Sequence, residues 1–226
     1  MRTFKNAIVA AALAAVFAAP FAGSFVTRTA GAQASAAKIS YAPVPGGTYN
    51  IDPAHSLIGF AVRHLEINWV EGRFKDFKGI INYDEKDVTK SSVEFTAKVA
   101  SIDTEVEARD KHLRTADFFD AEKYPEMTFR STRVERKGKD GYVLHGDLTL
   151  KGVTKPVALP FRLTAAVKDP WGNTRFGAEA QTKINRRDFG INYGNAFAGG
   201  GLDVGNEVTI NLQLEAVKAA PKPASE

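Results

Sequence analysis

The four histidines, His55, His64, His112 and His145, are the side chains best suited to metal binding or acid–base chemistry. No two of them have the spacing of metal ligands on one element, and the chain has no cysteine to complete a zinc site. The sequence also lacks a G-x-S-x-G motif, a phosphate-binding glycine loop and a local Ser–His–Asp grouping. We therefore predict no catalytic centre, no metal site and no cofactor.

His64 is the one histidine whose position is compatible with ligand binding inside a fold. It continues an apolar face formed by Ile58, Phe60 and Val62. It is either an interior polar group that meets a ligand or a satisfied histidine at the end of a strand.

Basic residues are crowded at Arg109, His112 and Arg114. One interpretation is a cationic patch that holds an anionic head group. The alternative is an exposed helix with ion pairs such as Glu105–Arg109 and Asp110–Arg114. The residues alone leave both interpretations open.

These basic residues lie in the segment Ser101–Phe129, the longest stretch after residue 50 without a strand pattern. Thr104 and Glu107 have the spacing of a capping box, which predicts a helix over 105–114. The adjacent pair Phe118-Phe119 follows. We therefore expect a flap with one side in water and its phenylalanines tucked against an apolar surface.

A second irregular segment runs from Ile184 to Gly190 and leads into a loop rich in glycine and asparagine. Arg187 and Asp188 could form an ion pair that pins this loop, or they could rim the mouth of a cavity. The sequence does not separate these two roles.

The rest of the domain alternates apolar and polar residues, as over Val93–Val99 and Val208–Leu214. Turn residues separate about eight such runs, a pattern typical of antiparallel strands with one buried face. Eight antiparallel strands can stack as a sandwich or close as a barrel, and closure removes exposed edges. The inner faces also carry more aromatic residues than a filled sandwich needs. We predict an all-β fold, an eight-stranded antiparallel barrel with an elongated apolar cavity and a helical insert between strands 3 and 4, near one mouth.

Residues 1–34 have the features of a cleaved secretory signal. Arg2 and Lys5 precede an alanine-rich apolar run, and small residues suited to signal peptidase follow at Ala30-Gly31-Ala32. We favour a cleaved signal over a retained membrane anchor because Pro20 and Gly23 interrupt the run. Removing the segment lowers the formal net charge from +4 to about +1, so we expect no nucleic-acid partner.

Composition divides the rest of the chain into three parts. Residues 35–47 are rich in proline and glycine and are predicted to be a linker, 48–218 to be a single barrel domain, and 219–226 to be a disordered tail.

Several ordered blocks of the domain match a known pattern: Tyr49-x-Ile51-Asp52-x-x-His55-Ser56, Gly72-Arg73-Phe74-x-x-Phe77-x-Gly79, Arg109-Asp110-x-His112-Leu113-Arg114, and Ile184-Asn185-Arg186-x-Asp188-Phe189-Gly190. On these blocks the chain resembles the YceI-like family of exported bacterial lipid-binding proteins. The resemblance covers nearly the whole domain, about 48–217.

The resemblance implies an extended, lipocalin-like barrel that is often dimeric. It also implies a long isoprenoid, such as a polyprenyl pyrophosphate or a quinone precursor, bound in the barrel without catalysis. The expected function is that of a periplasmic carrier that sequesters an isoprenoid or other long-chain amphiphilic lipid. We expect no stable membrane span and a possible homodimer. The alternatives are an enzyme or stress-response factor acting on such a lipid, and a filled barrel serving as an interaction module.

Such a ligand would lie along the inner faces of the strands, with Arg109, His112 and Arg114 as candidate donors to a head group at the mouth. The predicted ligand-binding residues are Phe60, Val62, His64, Phe74, Phe95, Arg109, His112, Arg114, Phe129, Leu144, Phe161, Leu163, Phe176 and Ile210.

Overall fold

The computed structural model describes residues 42–138, 141–198 and 200–220. The predicted signal segment and most of the predicted tail lie outside these ranges. Residues 42–47, predicted as the end of a linker, lie against the barrel: Val44 is buried, and Ala42 pairs with Ala166.

The described residues form twelve strands and one α-helix. The strands are β1 Gly47–Ile51, β2 Leu57–His64, β3 Asn68–Phe74, β4 Phe77–Tyr83, β5 Ser92–Lys98, β6 Ile102–Asp103, β7 Glu126–Lys137, β8 Gly141–Leu150, β9 Val153–Leu163, β10 Val167–Lys168, β11 Thr174–Asn185 and β12 Val204–Lys218. The helix α1 spans Glu107–Arg114. Short 3₁₀ segments occupy Pro53–His55, Val88–Lys90, Val99–Ser101 and Arg186–Phe189.

Eight of the strands close into an antiparallel ring in the order β11-β9-β8-β7-β5-β4-β1-β12, and β12 returns to β11. The long β12 pairs with both β1 and β2, so these two strands act as one bent strand. β3 pairs with β2 and β4 pairs with β1, so β3 and β4 likewise act as one bent strand beside the first. The predicted eight-stranded barrel is confirmed, and the sandwich alternative is wrong. The first three strands of the barrel are therefore the bent pairs β1 with β2, β3 with β4, and β5 with β6, and β7 is the fourth. The helix α1 lies between the third and the fourth of these barrel strands, as predicted.

The strand directions define two ends of the barrel. The end that we call the helix end carries the β2–β3 turn at 65–67, the insert at 99–125 and the loop at 186–203. The opposite end carries the loop at 84–91 and the turn at 169–173. Both irregular segments of the sequence therefore meet at the helix end.

Alternation along β11 shows how the strands create an interior. Phe176, Ala178 and Ala180 face inward, whereas the intervening Glu179 and Gln181 face outward. Tyr49 is fully buried and packs edge-on against Phe176, with ring centroids 4.7 Å apart. Packing is therefore dense towards the opposite end of the barrel.

Among the described residues, no helix is both long enough and apolar enough to cross a lipid bilayer.

Arg175 joins three parts of the opposite end. Its guanidinium pairs with Asp169 of the turn at 2.7 Å, with Asp52 after β1 at 2.7 Å, and with Glu215 of β12. Hydrogen bonds from His55 and Arg175 lower the pKa of Asp52 to about 2. Although desolvation raises the pKa of Asp169, hydrogen bonds from Arg175 and Asn173 outweigh it and lower that pKa to about 2.

These depressed pKa values predict acid-sensitive folding. A carboxylate with a lowered pKa stabilises the fold fully above its ordinary value of 3.8, and this stabilisation is lost as the pH falls towards 2. We expect the Asp169→Asn variant to be less stable at neutral pH and to lose less stability than the wild type on acidification through this window. Thermal unfolding followed by circular dichroism at each pH measures the difference.

Asp147→Asn is the control, because Asp147 is exposed on β8. It should keep the acid dependence of the wild type. If Asp169→Asn has the same acid dependence as the wild type, the ion pairs of Arg175 do not set the acid sensitivity of the fold.

Candidate functional site

The described strands surround a long cavity of about 450 Å³, a volume within the range of small-molecule sites. Every residue predicted to bind a ligand lines it except Arg114. The predicted lining residues are Phe60, Val62, His64, Phe74, Phe95, Arg109, His112, Phe129, Leu144, Phe161, Leu163, Phe176 and Ile210. That they contact a ligand stays a prediction.

The sequence analysis missed the residues that make room for this cavity. Ala178, Ala180 and Thr182 are the small inward-facing residues of β11, and all three line it. Larger side chains there would take up part of the cavity. Their small size on a strand with strict alternation was the available signal.

Charge is distributed along the cavity very unevenly. The arginines and histidines among the described lining residues all lie at the helix end, and they are Arg63, His64, Arg109, His112 and Arg186. No aspartate or glutamate is among the described residues that line the cavity. The rest of the wall is almost wholly apolar, so the cavity has an apolar body and one end of positive character.

The insert is held by a buried polar contact rather than by the predicted capping box. One carboxylate oxygen of Asp110 accepts hydrogen bonds from the Thr104 backbone N–H at 2.9 Å and from its hydroxyl at 2.5 Å. The helix begins at Glu107 with Val106 as its N-cap, without a side-chain cap. The capping-box prediction is wrong because Asp110 is buried and takes both donors of Thr104.

Arg109 and Arg114 have similar hydrogen bonds but different positions. Arg109 donates to the hydroxyl and the carbonyl of Thr104, both at 2.7 Å. Arg114 donates to the carbonyls of Ala100 at 2.8 Å and Ile102 at 2.9 Å. Only Arg109 lines the cavity, so Arg114 has a structural role within the insert.

The ion pairs predicted for the helix are not found among the described residues. Neither Glu105–Arg109 nor Asp110–Arg114 forms, because both arginines bond to the segment before the helix. The pair that does form within α1 is Glu107–Lys111, at 2.8 Å.

His112 connects the insert to the loop at 186–203. Its Nε2 lies 2.9 Å from a carboxylate oxygen of Asp117. Its ring packs edge-on against Phe118 and Tyr193, with centroids 5.1 and 4.8 Å away. Phe119 packs edge-on against Phe74 of the wall. As expected, the phenylalanines of the insert face an apolar surface, and that surface is the cavity.

His64 is the last residue of β2 and is exposed at the helix end. It lies opposite Asn68 of β3 and Val204 of β12 and contributes to the lining. Its position is therefore at the mouth of the cavity.

Arg186 is the residue that pins the long loop, and the sequence analysis did not single it out. It is 4% exposed. Its guanidinium donates to the carbonyls of Gly205, Ile191 and Val204 at 2.8, 2.8 and 2.9 Å. Desolvation and the neighbouring Arg187 charge lower its pKa.

The ion pair between Arg187 and Asp188, one of the two roles that the sequence left open, is not found among the described residues. Arg187 instead donates to the side chain of Asn206 at 2.6 Å. The 3₁₀ segment Arg186–Phe189 turns Arg186 inward and leaves Arg187 exposed, so the first arginine takes the structural role.

This geometry defines a class of protein: a closed antiparallel barrel with an apolar internal cavity whose mouth is positively charged. The sequence profile of the YceI-like domain matches residues 49–216. The chain belongs to the YceI-like family.

Known sequences support this membership. A UPF0312 protein from Photorhabdus laumondii is 46% identical over 161 residues, covering 70% of this chain and 83% of that protein. Protein YceI from Escherichia coli O157:H7 is 46% identical over 145 residues, covering 63% of this chain and 75% of that protein.

Solved structures share the fold. BcnA from Burkholderia cenocepacia superposes with a TM-score of 0.63 at 25% identity, covering 73% of this chain and 98% of that one. The Campylobacter jejuni YCEI protein superposes with a TM-score of 0.59 at 31% identity, covering 75% of this chain and 96% of that one. A polyisoprenoid-binding domain from Saccharophagus degradans superposes with a TM-score of 0.56 at 17% identity, covering 76% of this chain and 98% of that one. At that identity it supports the fold alone.

Proposed function

We propose that this protein binds a single long-chain amphiphilic lipid of the isoprenoid class and carries it in the periplasm without chemical change. The observation that carries the proposal is the cavity itself, which has an apolar body and basic residues only at its helix end. The predicted secretory signal supports the periplasmic location.

The apolar body suits a hydrocarbon chain. Each methylene group that leaves water for an apolar environment gains about 0.8 kcal/mol. The wall offers aromatic and branched side chains from most strands of the barrel, such as Phe129 and Leu144. Such contacts have no directionality, so we expect selection by chain length and width. An isoprenoid is the class that the resemblance to the YceI-like family implies.

The helix end suits a polar or anionic head group. Positive side chains and histidines approach the mouth from α1 and from the end of β2, and no carboxylate lines the cavity among the described residues. A phosphate placed there would meet donors of opposite charge. This arrangement argues for a ligand with one charged end, and it also argues against a filled barrel as the functional state.

Native mass spectrometry of the protein purified after export, followed by solvent extraction, tests the proposal. A polyprenyl species released at about one per chain is the expected result. An empty protein that also fails to take up added polyprenyl lipid would overturn it, and a chemically altered lipid would favour the enzyme alternative. The intact mass also reports the predicted signal cleavage and the predicted dimer.

The head group prediction is tested by the Arg109→Gln variant. We expect Arg109→Gln to weaken binding of an isoprenyl pyrophosphate about tenfold and to leave binding of the alcohol of equal chain length unchanged, because only the pyrophosphate uses the charge. Isothermal titration calorimetry with both ligands measures the ratio.

Arg114→Gln is a matched control. Both arginines donate two hydrogen bonds within the insert, but Arg114 does not line the cavity. Equal losses of pyrophosphate binding in the two variants would mean that the insert's structure, and not the Arg109 charge, supports binding.

A further inference from the structure

Exposed apolar side chains are concentrated at the helix end. Eight large hydrophobic residues are exposed among those that the structure describes, and most of them surround the mouth of the cavity. Those at the helix end are Leu65, Ile67, Trp69, Val106, Tyr193 and Phe197, and the other two are Ile80 and Trp171. A distribution biased to the end where a cavity opens indicates a contact surface.

Five of these residues lie on the β2–β3 turn, at the start of β3 or on the neighbouring loop at 186–203, and we call them the apolar rim: Leu65, Ile67, Trp69, Tyr193 and Phe197. The β2–β3 turn and the loop at 186–203 lie side by side, because the Leu65 N–H donates to the carbonyl of Asp203 at 3.0 Å. The rim is continuous with the cavity, since Tyr193 belongs to both.

The backbone of the β2–β3 turn favours other residues than those present. Leu65 and Glu66 both have positive φ, at 51° and 59°, and the Ile67 N–H donates to the His64 carbonyl at 3.1 Å. A turn of this kind is most stable with Asn-Gly. Here Leu65 takes the left-handed conformation, and Ile67, the last residue of the turn, is 77% exposed. The left-handed conformation of Leu65 costs stability, and a contact made by Leu65 and Ile67 would account for the presence of both residues.

We propose that the apolar rim inserts into the surface of a lipid bilayer, so that the ligand passes between the membrane and the cavity without crossing water. The inference rests on the proposed function, because it needs an apolar ligand. A membrane is the occupant we favour because the rim is continuous with a cavity suited to lipid. Its tryptophan and tyrosine are also the residues typical of membrane interfaces. The guanidinium of Arg63 lies 4.4 Å from the Trp69 ring centroid, a pairing suited to the headgroup region.

The charges near the rim predict which membrane it meets. Arg63 and Arg187 near the rim are accompanied by Glu66 and Asp203, and Arg109 and Arg186 of the mouth donate to protein carbonyls, so the rim presents less positive charge to a bilayer than the cavity presents to its ligand. We therefore expect binding to zwitterionic phosphatidylcholine vesicles that depends little on salt.

The chain has two tryptophans, which provide the direct test. Trp69 lies in the rim, and Trp171 is 81% exposed at the opposite end. In Trp171→Phe, which keeps only Trp69, phosphatidylcholine vesicles should shift the emission to the blue, and brominated lipid should quench it. In Trp69→Phe, which keeps only Trp171, neither change should occur.

Substitutions in the rim test its energetic role. Ile67→Ser should reduce vesicle partitioning at least about tenfold. Ile80→Ser removes the same side chain from an exposed site on β4 and should leave partitioning unchanged. The double substitution Leu65→Asn with Glu66→Gly should raise the melting temperature and still weaken partitioning, which excludes unfolding as the cause.

Three outcomes would overturn the inference. These are an unchanged Trp69 emission with vesicles, binding only to anionic vesicles that salt abolishes, or an altered sedimentation coefficient of Ile67→Ser with unaltered partitioning. The third result would make the rim an interface between copies of the chain.

Uptake of a water-soluble short-chain isoprenyl pyrophosphate, measured by native mass spectrometry without vesicles, separates this inference from the proposed function. Uptake of this ligand without membrane insertion of Trp69 overturns the proposed membrane contact of the rim and leaves the proposed function standing. Insertion of Trp69 without uptake of either this ligand or added polyprenyl lipid overturns the proposed function and supports the rim as a membrane contact.

Discussion

Substitution of Ala178 by tryptophan is expected to reduce binding of a long-chain isoprenoid about 100-fold. Ala178 faces the cavity from β11, opposite Leu163 of β9 and Leu214 of β12. An indole there would occupy space along the path of the chain. If it displaces about four methylene groups, the loss is about 3 kcal/mol, which corresponds to about 100-fold in Kd.

Glu179→Trp is the control for this experiment. It adds the same side chain to the next residue of β11, which faces outward and makes only an exposed ion pair with Arg162 at 3.3 Å. We expect near wild-type binding. Overpacking of Ala178→Trp costs about 1–3 kcal/mol of stability, so unfolding midpoints should accompany the affinities.

The length of the isoprenoid ligand provides a second readout. A short isoprenyl pyrophosphate that reaches only the helix end should bind Ala178→Trp as it binds the wild type, because Ala178 lies further along β11 towards the opposite end. Equal binding of the long chain by wild type and Ala178→Trp would mean that the ligand does not lie in the barrel.

Replacement of Arg186 by methionine is expected to lower the free energy of unfolding by about 3–5 kcal/mol. The buried guanidinium satisfies the carbonyls of Gly205, Ile191 and Val204. Methionine fills similar space and donates no hydrogen bond, so three carbonyl groups around a buried site lose their partner. Urea denaturation measures the change.

Arg187→Met is the matched control, since Arg187 is the next residue and is exposed. Its one described side-chain hydrogen bond is to Asn206, and its loss should cost less than about 1 kcal/mol. Similar losses in both variants would contradict the assignment of the loop anchor to Arg186. Hydrogen exchange should also rise in the loop at 186–203 of Arg186→Met before it rises in β11.

The inner wall was predictable because a strand has a side-chain period of two. Once Phe60, Phe129 and Leu144 are placed on strands, alternation decides which face each one shares with its neighbours. The predicted wall residues therefore line the cavity. The helical insert was predictable as well, since its charged run interrupts that alternation.

Closure of the barrel was a weaker prediction, because it depends on pairing between distant parts of the chain. β1 pairs with β12 from the far end of the domain, with Tyr49 opposite Lys218. Alternation gives each strand an inner face but does not state which strands are neighbours. Exposed edges and surplus aromatics favoured a barrel, and only the observed pairing excluded the sandwich.

The roles of individual arginines were decided by tertiary structure alone. Arg109 and Arg114 lie on one short helix, yet one lines the cavity and the other bonds to Ala100 and Ile102. Arg186 and Arg187 are adjacent, yet only the first is buried. A guanidinium bonds to whichever carbonyls the fold brings within reach, and that proximity is a property of the assembled chain. The sequence by itself determined the strands, their inner faces and the position of the insert, because these follow from local periodicity. The tertiary structure decided closure, the cavity and the function of each charge, because these depend on residues far apart in the chain.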